Sequence, residues 1–274
     1  MAENLTKLLR TFRRQMVALR FLRWMAVVLL AAAMVALPKA GIMPAWSILL
    51  IGLGLLVPAG LLIVHSFRLA REIQAGGVLL SIGKLDDAAA WLKRGLSRFA
   101  LSGRAKIMAA QLLASLLQRR GEHEDAVTVC REVLRQPLRR LQYVWVNTRL
   151  MLADSLLILG HLQEACETLR PIHGVPIPLE ARLRLLPIQL RYELTAGDAG
   201  SAASELPEKV RLAELMDSSS AALTHALLAE ACRRLDRSAE RDFLAARANL
   251  YHDLGPLASQ QPLIEPIAAA GWKR

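Results

Sequence analysis

Four glycines, Gly83, Gly121, Gly160 and Gly197, stand 38, 39 and 37 residues apart, and the first three open closely similar phrases. GKLDDAAAWLKRGL begins at Gly83, GEHEDAVTVCREVL at Gly121 and GHLQEACETL at Gly160, while Gly197 heads a degenerate copy. After each of the first three glycines come one polar or charged residue, a Leu or His, two polar or acidic residues and an Ala, and then an apolar stripe opens. That is a turn followed by a helix. Self-similarity at such a period means supersecondary units that bury their apolar faces by stacking on one another, so this part of the chain is all-α.

The N-terminal quarter has a different character. Hydrophobic residues make up 54% of the 274-residue chain and the mean hydropathy is +0.30, high enough to predict that part of it lies in lipid. A net charge of +11 suggests nucleic acid at first, but nine Lys and Arg against two Glu fall within residues 1–72. The excess is therefore concentrated beside the most apolar stretch, as expected of a membrane-proximal segment. Residues 1–23 read as a basic amphipathic juxtamembrane helix, with Leu5, Leu8, Leu9, Phe12, Met16 and Leu19 on one stripe. Lys7, Arg10, Arg13, Arg14, Arg20 and Arg23 are its basic residues. Two readings stand side by side. The helix lies on an anionic leaflet, each basic residue adding about 1 kcal/mol, or the segment is a flexible positive flank that orients the adjoining apolar run.

Residues 24–64 are expected to form a transmembrane hairpin, with spans at 21–37 and 42–64 joined by a tight turn through Pro38 and Pro44. A signal peptide is the competing reading of the first span, but no small-x-small cleavage site stands out and a longer apolar run comes at once after it. Basic residues crowd the two outer flanks, whereas Lys39 stands alone in the turn, so both termini are expected to be cytoplasmic in a bacterial-type inner membrane. Three cysteines, Cys130, Cys166 and Cys232, cannot all pair within one chain, which fits reduced thiols in a cytosolic compartment.

Setting each glycine at the turn between two helices, the first helix of the second copy holds Leu113, Ala114 and Leu117, and the second holds Ala126, Cys130 and Val133. The third copy has Leu152, Ala153, Leu156, Ala165, Leu169 and Ile172 in the same places, and the first has Ala75, Gly76, Leu79, Ala88, Leu92 and Gly95. With these residues the chain resembles the tetratricopeptide repeat family over roughly residues 69–172. It departs from that family in a longer step and in lacking its aromatic positions on the first helix. The expected array covers residues 69–253. Its fourth repeat is degenerate, with helices at 179–195 and 201–206 and Pro187 inside the first of them. A last helix pair at 216–235 and 239–251 rests on periodicity alone, and residues 254–274 are expected as a cap or a mobile end.

No catalytic constellation emerges. The six histidines form no HExxH and no Cys/His set at metal spacing, and there is no phosphate loop, nucleophile elbow or EF-hand loop. Acidic pairs such as Asp86-Asp87 and Glu124-Asp125 open helices, where negative charge suits the macrodipole. The chain is therefore expected to be no enzyme and to need no cofactor or metal.

The resemblance implies that the first helices line a groove holding an extended peptide or a partner's helix. On that register the groove residues are Gln111, Ser115, Gln118 and Arg119, then Asn147, Leu150 and Asp154, then Arg184 and Arg191. Arg139, Arg140, Tyr143 and Trp145 form a second patch, too small to argue for nucleic acid. The expected function is a membrane-anchored scaffold that recruits other proteins, with residues 1–68 engaging the bilayer. The alternative is a structural or assembly subunit of a larger membrane complex, its hairpin packing against other membrane helices.

Overall fold

The structure, a computed structural model of the chain, describes residues 2–39, 64, 66–99, 103–138 and 141–270. Among them there is no strand. They divide into two compact units, Met1–Leu138 and Arg139–Arg274.

In the first unit α1 runs Ala2–Lys39, α2 covers residues 66–81, α3 is Leu85–Ser97, α4 is Gly103–Arg119 and α5 is His123–Leu134. The glycine-headed phrases do what their composition dictates. Gly83 and Gly121 sit at φ of +81° and +75°, the left-handed region, and a Cβ at either would meet nothing within 4 Å. Conformation alone, and not space, calls for glycine there. The Glu122 N–H donates to the Leu117 carbonyl at 2.9 Å and the Gly121 N–H to the Gln118 carbonyl at 2.9 Å, a Schellman closure that satisfies the last carbonyls of α4. Asp86 and Asp87 occupy the first turn of α3, and Glu124 and Asp125 that of α5. Between the helices Ala88, Leu92, Leu113, Ala114, Ala126, Cys130 and Val133 are buried, so the small residues let helix axes approach.

The second unit repeats this plan. It comprises α6 (Gln142–Ile158), α7 (Leu162–His173), α8 (Leu179–Thr195), α9 (Ala199–Ala203), α10 (Leu206–Ala213), α11 (Ser218–Arg234) and α12 (Ser238–Tyr251). Gly160 and Gly197 close the first two turns in the same left-handed conformation. The third closure, between α11 and α12, has no glycine. Asp236 takes φ of +56°, and the Arg237 N–H donates to the Cys232 carbonyl at 2.9 Å, the same bond made at the glycine turns. A short polar side chain makes Asp one of the few non-glycine residues that visit this region.

Two expectations are corrected. Residues 2–23 are helical, as the first part of α1, but the apolar stripe read as a face for lipid is occupied by protein, with Phe12, Met16 and Leu19 buried in the first unit. The reason is a matching apolar seat. Met16 lies 3.4 Å from where a Cβ on Gly103 would stand, and burying a side chain the size of Phe12 contributes about 1.5–3 kcal/mol. Second, the helix expected at 201–206 is broken. α9 stops at Ala203, Glu205 turns at φ of +51°, and α10 restarts with Pro207 in its first turn, where a missing N–H costs nothing. Of the two readings given for the tail, a cap or a mobile end, residues 254–270 take the first. α13 (Leu254–Gln260), a 3₁₀ turn (Pro262–Ile264) and α14 (Glu265–Ala269) bring Leu254, Ile264 and Ile267 into the core around α11 and α12 and cap the unit.

The first expected span, 21–37, falls in the second half of α1, and the second, 42–64, lies outside the described residues except for Val64. Among the described residues no helix is long and apolar enough to cross a membrane.

Candidate partner groove

In the second unit α6, α8 and α11 stack side by side, each the first member of a helix pair, and their shared face encloses a cavity of about 440 Å³. Three residues expected in the groove line it: Asp154 from α6, and Arg184 and Arg191 from α8. Their charges are organised by contacts between equivalent positions of successive repeats. Arg191 makes an ion pair with Asp154, and Arg184 Nη1 donates to Asn147 Oδ1 at 3.0 Å. Tyr143 donates its hydroxyl to Glu180 at 3.1 Å. Each pair joins residues 37 apart, one repeat step.

The polar rim surrounds an apolar floor. Leu183, Pro187 and Ile188 on α8 face Leu215 and Leu223, and Leu215 is 60% exposed. Pro187 sits inside α8 without ending it. Asp217 closes the opposite edge. Burial opposes its ionised form, yet the backbone amides of Ser220 and Ser219 hold its carboxyl below the usual range. Its side chain accepts from the Ser220 N–H at 3.1 Å and so caps α11. Such a site offers apolar contact for one or two side chains and a fork of charges above them.

Other expected groove residues have different roles. Leu150 is fully buried in the core with Val146, Ala153, Leu169 and Ile172, which removes it from any surface. Asn147 is also buried and serves as the acceptor for Arg184. In the first unit Gln111, Ser115 and Gln118 are half-buried on α4, and Arg119 is exposed at its end. Arg119 donates to the Leu80 carbonyl at 2.6 Å, satisfying the end of α2.

Arg234 does the same in the second unit, donating to the Leu194 carbonyl at 2.6 Å. Sequence reasoning missed it, and its signal is positional: Arg119 and Arg234 each stand two residues before a left-handed turn residue. Arg139 and Arg140, expected in the aromatic patch, lie outside the described residues. Trp145 there stacks under Arg149, whose guanidinium carbon is 4.6 Å from the ring centroid.

The basic residues expected on a membrane surface also divide. Lys7, Arg10, Arg14 and Arg20 are exposed on α1. Arg13 is engaged by Glu132 of α5, donating from Nε at 3.1 Å and Nη2 at 2.6 Å, and Arg20 donates to Gln136 at 3.1 Å. The hydrogen bond from Arg13 holds the Glu132 carboxyl below the usual range, against the opposing effect of burial. Beneath them Lys106 is buried and donates to the Leu96 carbonyl at 2.7 Å, while desolvation lowers its pKa to about 8. The side chain of Arg23 lies outside the described residues. Among the described residues no group of three His, Cys, Asp or Glu could hold a metal ion.

Comparison with family models, with curated proteins and with solved structures found no match.

Proposed function

We propose that the chain is a membrane-anchored adaptor of the tetratricopeptide-repeat kind, which holds a segment of a partner protein in the groove of its second unit. The observation that carries this reading is the cavity shared by α6, α8 and α11, with an apolar floor at Leu183, Ile188 and Leu223 and a charged rim at Asp154, Glu180, Arg184 and Arg191. A segment presenting one or two apolar side chains flanked by charge fits such a surface, as in helix-in-groove recognition.

The anchor is the transmembrane hairpin expected from residues 21–37 and 42–64, with both termini on the cytoplasmic side of a bacterial-type inner membrane. Support comes from the second part of α1. Phe21, Leu22, Trp24, Met25 and Val28 are exposed there, as is Phe67 at the start of α2. Such a run of large apolar side chains is costly against water and suits a bilayer, with Trp24 at interfacial depth. A reporter fused after Arg274 is expected to be active only in the cytoplasm; activity only on the opposite side would reject the orientation.

A second reading, a structural subunit of a membrane complex, draws on that same exposed run, which could pack against other membrane helices. Replacing the hairpin with an unrelated one separates the two. An adaptor keeps its partner after the exchange, and a structural subunit loses it.

A further inference from the structure

In the first unit α1 and α5 are neighbours, and a cleft of about 420 Å³ opens between them. Arg10 and Arg13 line it from α1, and Arg131 and Arg135 line it from α5, with Glu132 as the carboxylate among them. We propose that this cleft is a phosphate-binding site, taking the phosphate group of an anionic ligand between the two helices.

The arrangement differs from an ordinary solvated face in two ways. Spacings of three on α1 and four on α5 put each pair of arginines on one side of its helix, so the two pairs confront each other across the opening. Glu132, whose side chain is only 6% exposed, accepts from Arg13 Nε and Nη2 and from Arg135 Nη1 at 3.1 Å, so one buried anion holds two guanidiniums in place at the cleft wall. Each guanidinium carries five N–H donors, and these bonds leave both with donors still to direct outward. Arg10 makes no ion pair among the described residues and is exposed at the mouth. Among the described side chains lining the cleft the guanidiniums outnumber the carboxylates, which favours an anion.

Geometry narrows the class. A planar carboxylate is satisfied by one bidentate fork, whereas a tetrahedral phosphate presents oxygens in several directions and can accept from guanidiniums on both walls. The phosphate could belong to a soluble molecule or to the headgroup of an anionic lipid, and the chemistry of the cleft is the same for both.

The test uses the full chain in a neutral maltoside detergent. Melting temperature and tryptophan fluorescence are monitored while inorganic phosphate is added, with chloride at matched ionic strength as the control. In a second arm mixed micelles of phosphatidylglycerol are compared with phosphatidylcholine. Arg10→Gln and Arg131→Gln are measured beside Arg104→Gln, an exposed residue outside the cleft. The expected result is stabilisation by phosphate or by phosphatidylglycerol, with apparent affinity about tenfold weaker in each cleft variant and unchanged in Arg104→Gln. Response to phosphate would identify a soluble ligand, and response to phosphatidylglycerol alone a lipid headgroup. Absence of both responses, or equal weakening by all three substitutions, would overturn the site. Glu132→Gln guards against misfolding as an explanation: it releases Arg13 and Arg135 without removing a cation, so a folded variant is expected to bind no more weakly than Arg10→Gln.

Discussion

At the scale of single residues the turns carry most of the specification. Gly121→Ala forces a Cβ into the left-handed region and is expected to cost about 1–2 kcal/mol, read as a lower melting temperature. Asp236→Gly is expected to hold or raise stability, since glycine relieves the same strain at φ of +56°. Equal effects of the two substitutions would contradict the shared turn geometry. The glycines were legible because their spacing and their phrases recur. Asp236 was not, since a search for glycine passes over a residue that reaches the same conformation through a short polar side chain.

His225 gives a prediction in pH. It is fully buried on α11, stacked on Tyr251 at a centroid distance of 5.6 Å, and neither ring nitrogen has a hydrogen-bond partner among the described residues. Burial pushes its pKa below the ordinary 6.5, the nearby Arg247 charge pushes the same way, and Glu214 opposes both. The unfolded chain then takes up a proton that the folded chain refuses. Stability contributed by the neutral ring is present above pH 6.5 and is lost as pH falls from there toward the lower folded value. Melting temperature is expected to drop as pH falls below the ordinary histidine value of 6.5, and His225→Phe to flatten that drop. A parallel drop in both proteins would rule out His225 as its source.

At the scale of elements α1 is the test of what sequence periodicity can and cannot say. The apolar stripe Leu5 to Leu19 reads equally well as a face for lipid or for protein, because both reward the same side chains. What decides is the partner surface: Gly103 leaves room for Met16, Glu132 meets Arg13, and Lys106 reaches Gln15 of α1. Those matches lie about 90 to 120 residues away in sequence, beyond any local pattern. Phe12→Ala is expected to cost about 3–5 kcal/mol by opening a cavity in this seat. Hydrogen exchange should then report faster exchange in α1, α3 and α5. A loss confined to α1, with α3 and α5 still protected, would mean that the helix only rests on the unit.

The break between α9 and α10 has a related cause. Pro207 was visible, but its place in the first turn of a new helix depends on Glu205 adopting a left-handed turn, which nothing in the local spacing requires. By contrast α8 was placed at Leu179–Thr195 from the sequence as observed, despite Pro187, because its apolar positions keep helical spacing on both sides of the proline. Asp154, Arg184 and Arg191, put on one face by the repeat register, line one cavity, whereas Leu150, put on the same face, packs into the core with Val146, Leu169 and Ile172, contacts that the spacing does not show.

At the scale of the whole molecule, a basic and apolar N-terminal quarter precedes helix pairs with nearly balanced charge. On the proposed function the first part belongs to the membrane and the repeats to protein recognition, with the groove of α6, α8 and α11 as the point of contact. Leu183→Asp would place a charge on the apolar floor of that groove at a half-buried position, where it is expected to abolish partner binding while lowering stability by less than about 1 kcal/mol.

The most direct test is a photo-crosslinking residue placed at Leu215, exposed on the groove floor, and in parallel at Phe243, exposed on α12 away from it, with irradiation of intact cells. A discrete protein adduct at Leu215 that is absent at Phe243 and disappears with Leu183→Asp is the predicted result. No adduct at Leu215, or the same adducts at both positions, would contradict the groove as the partner site.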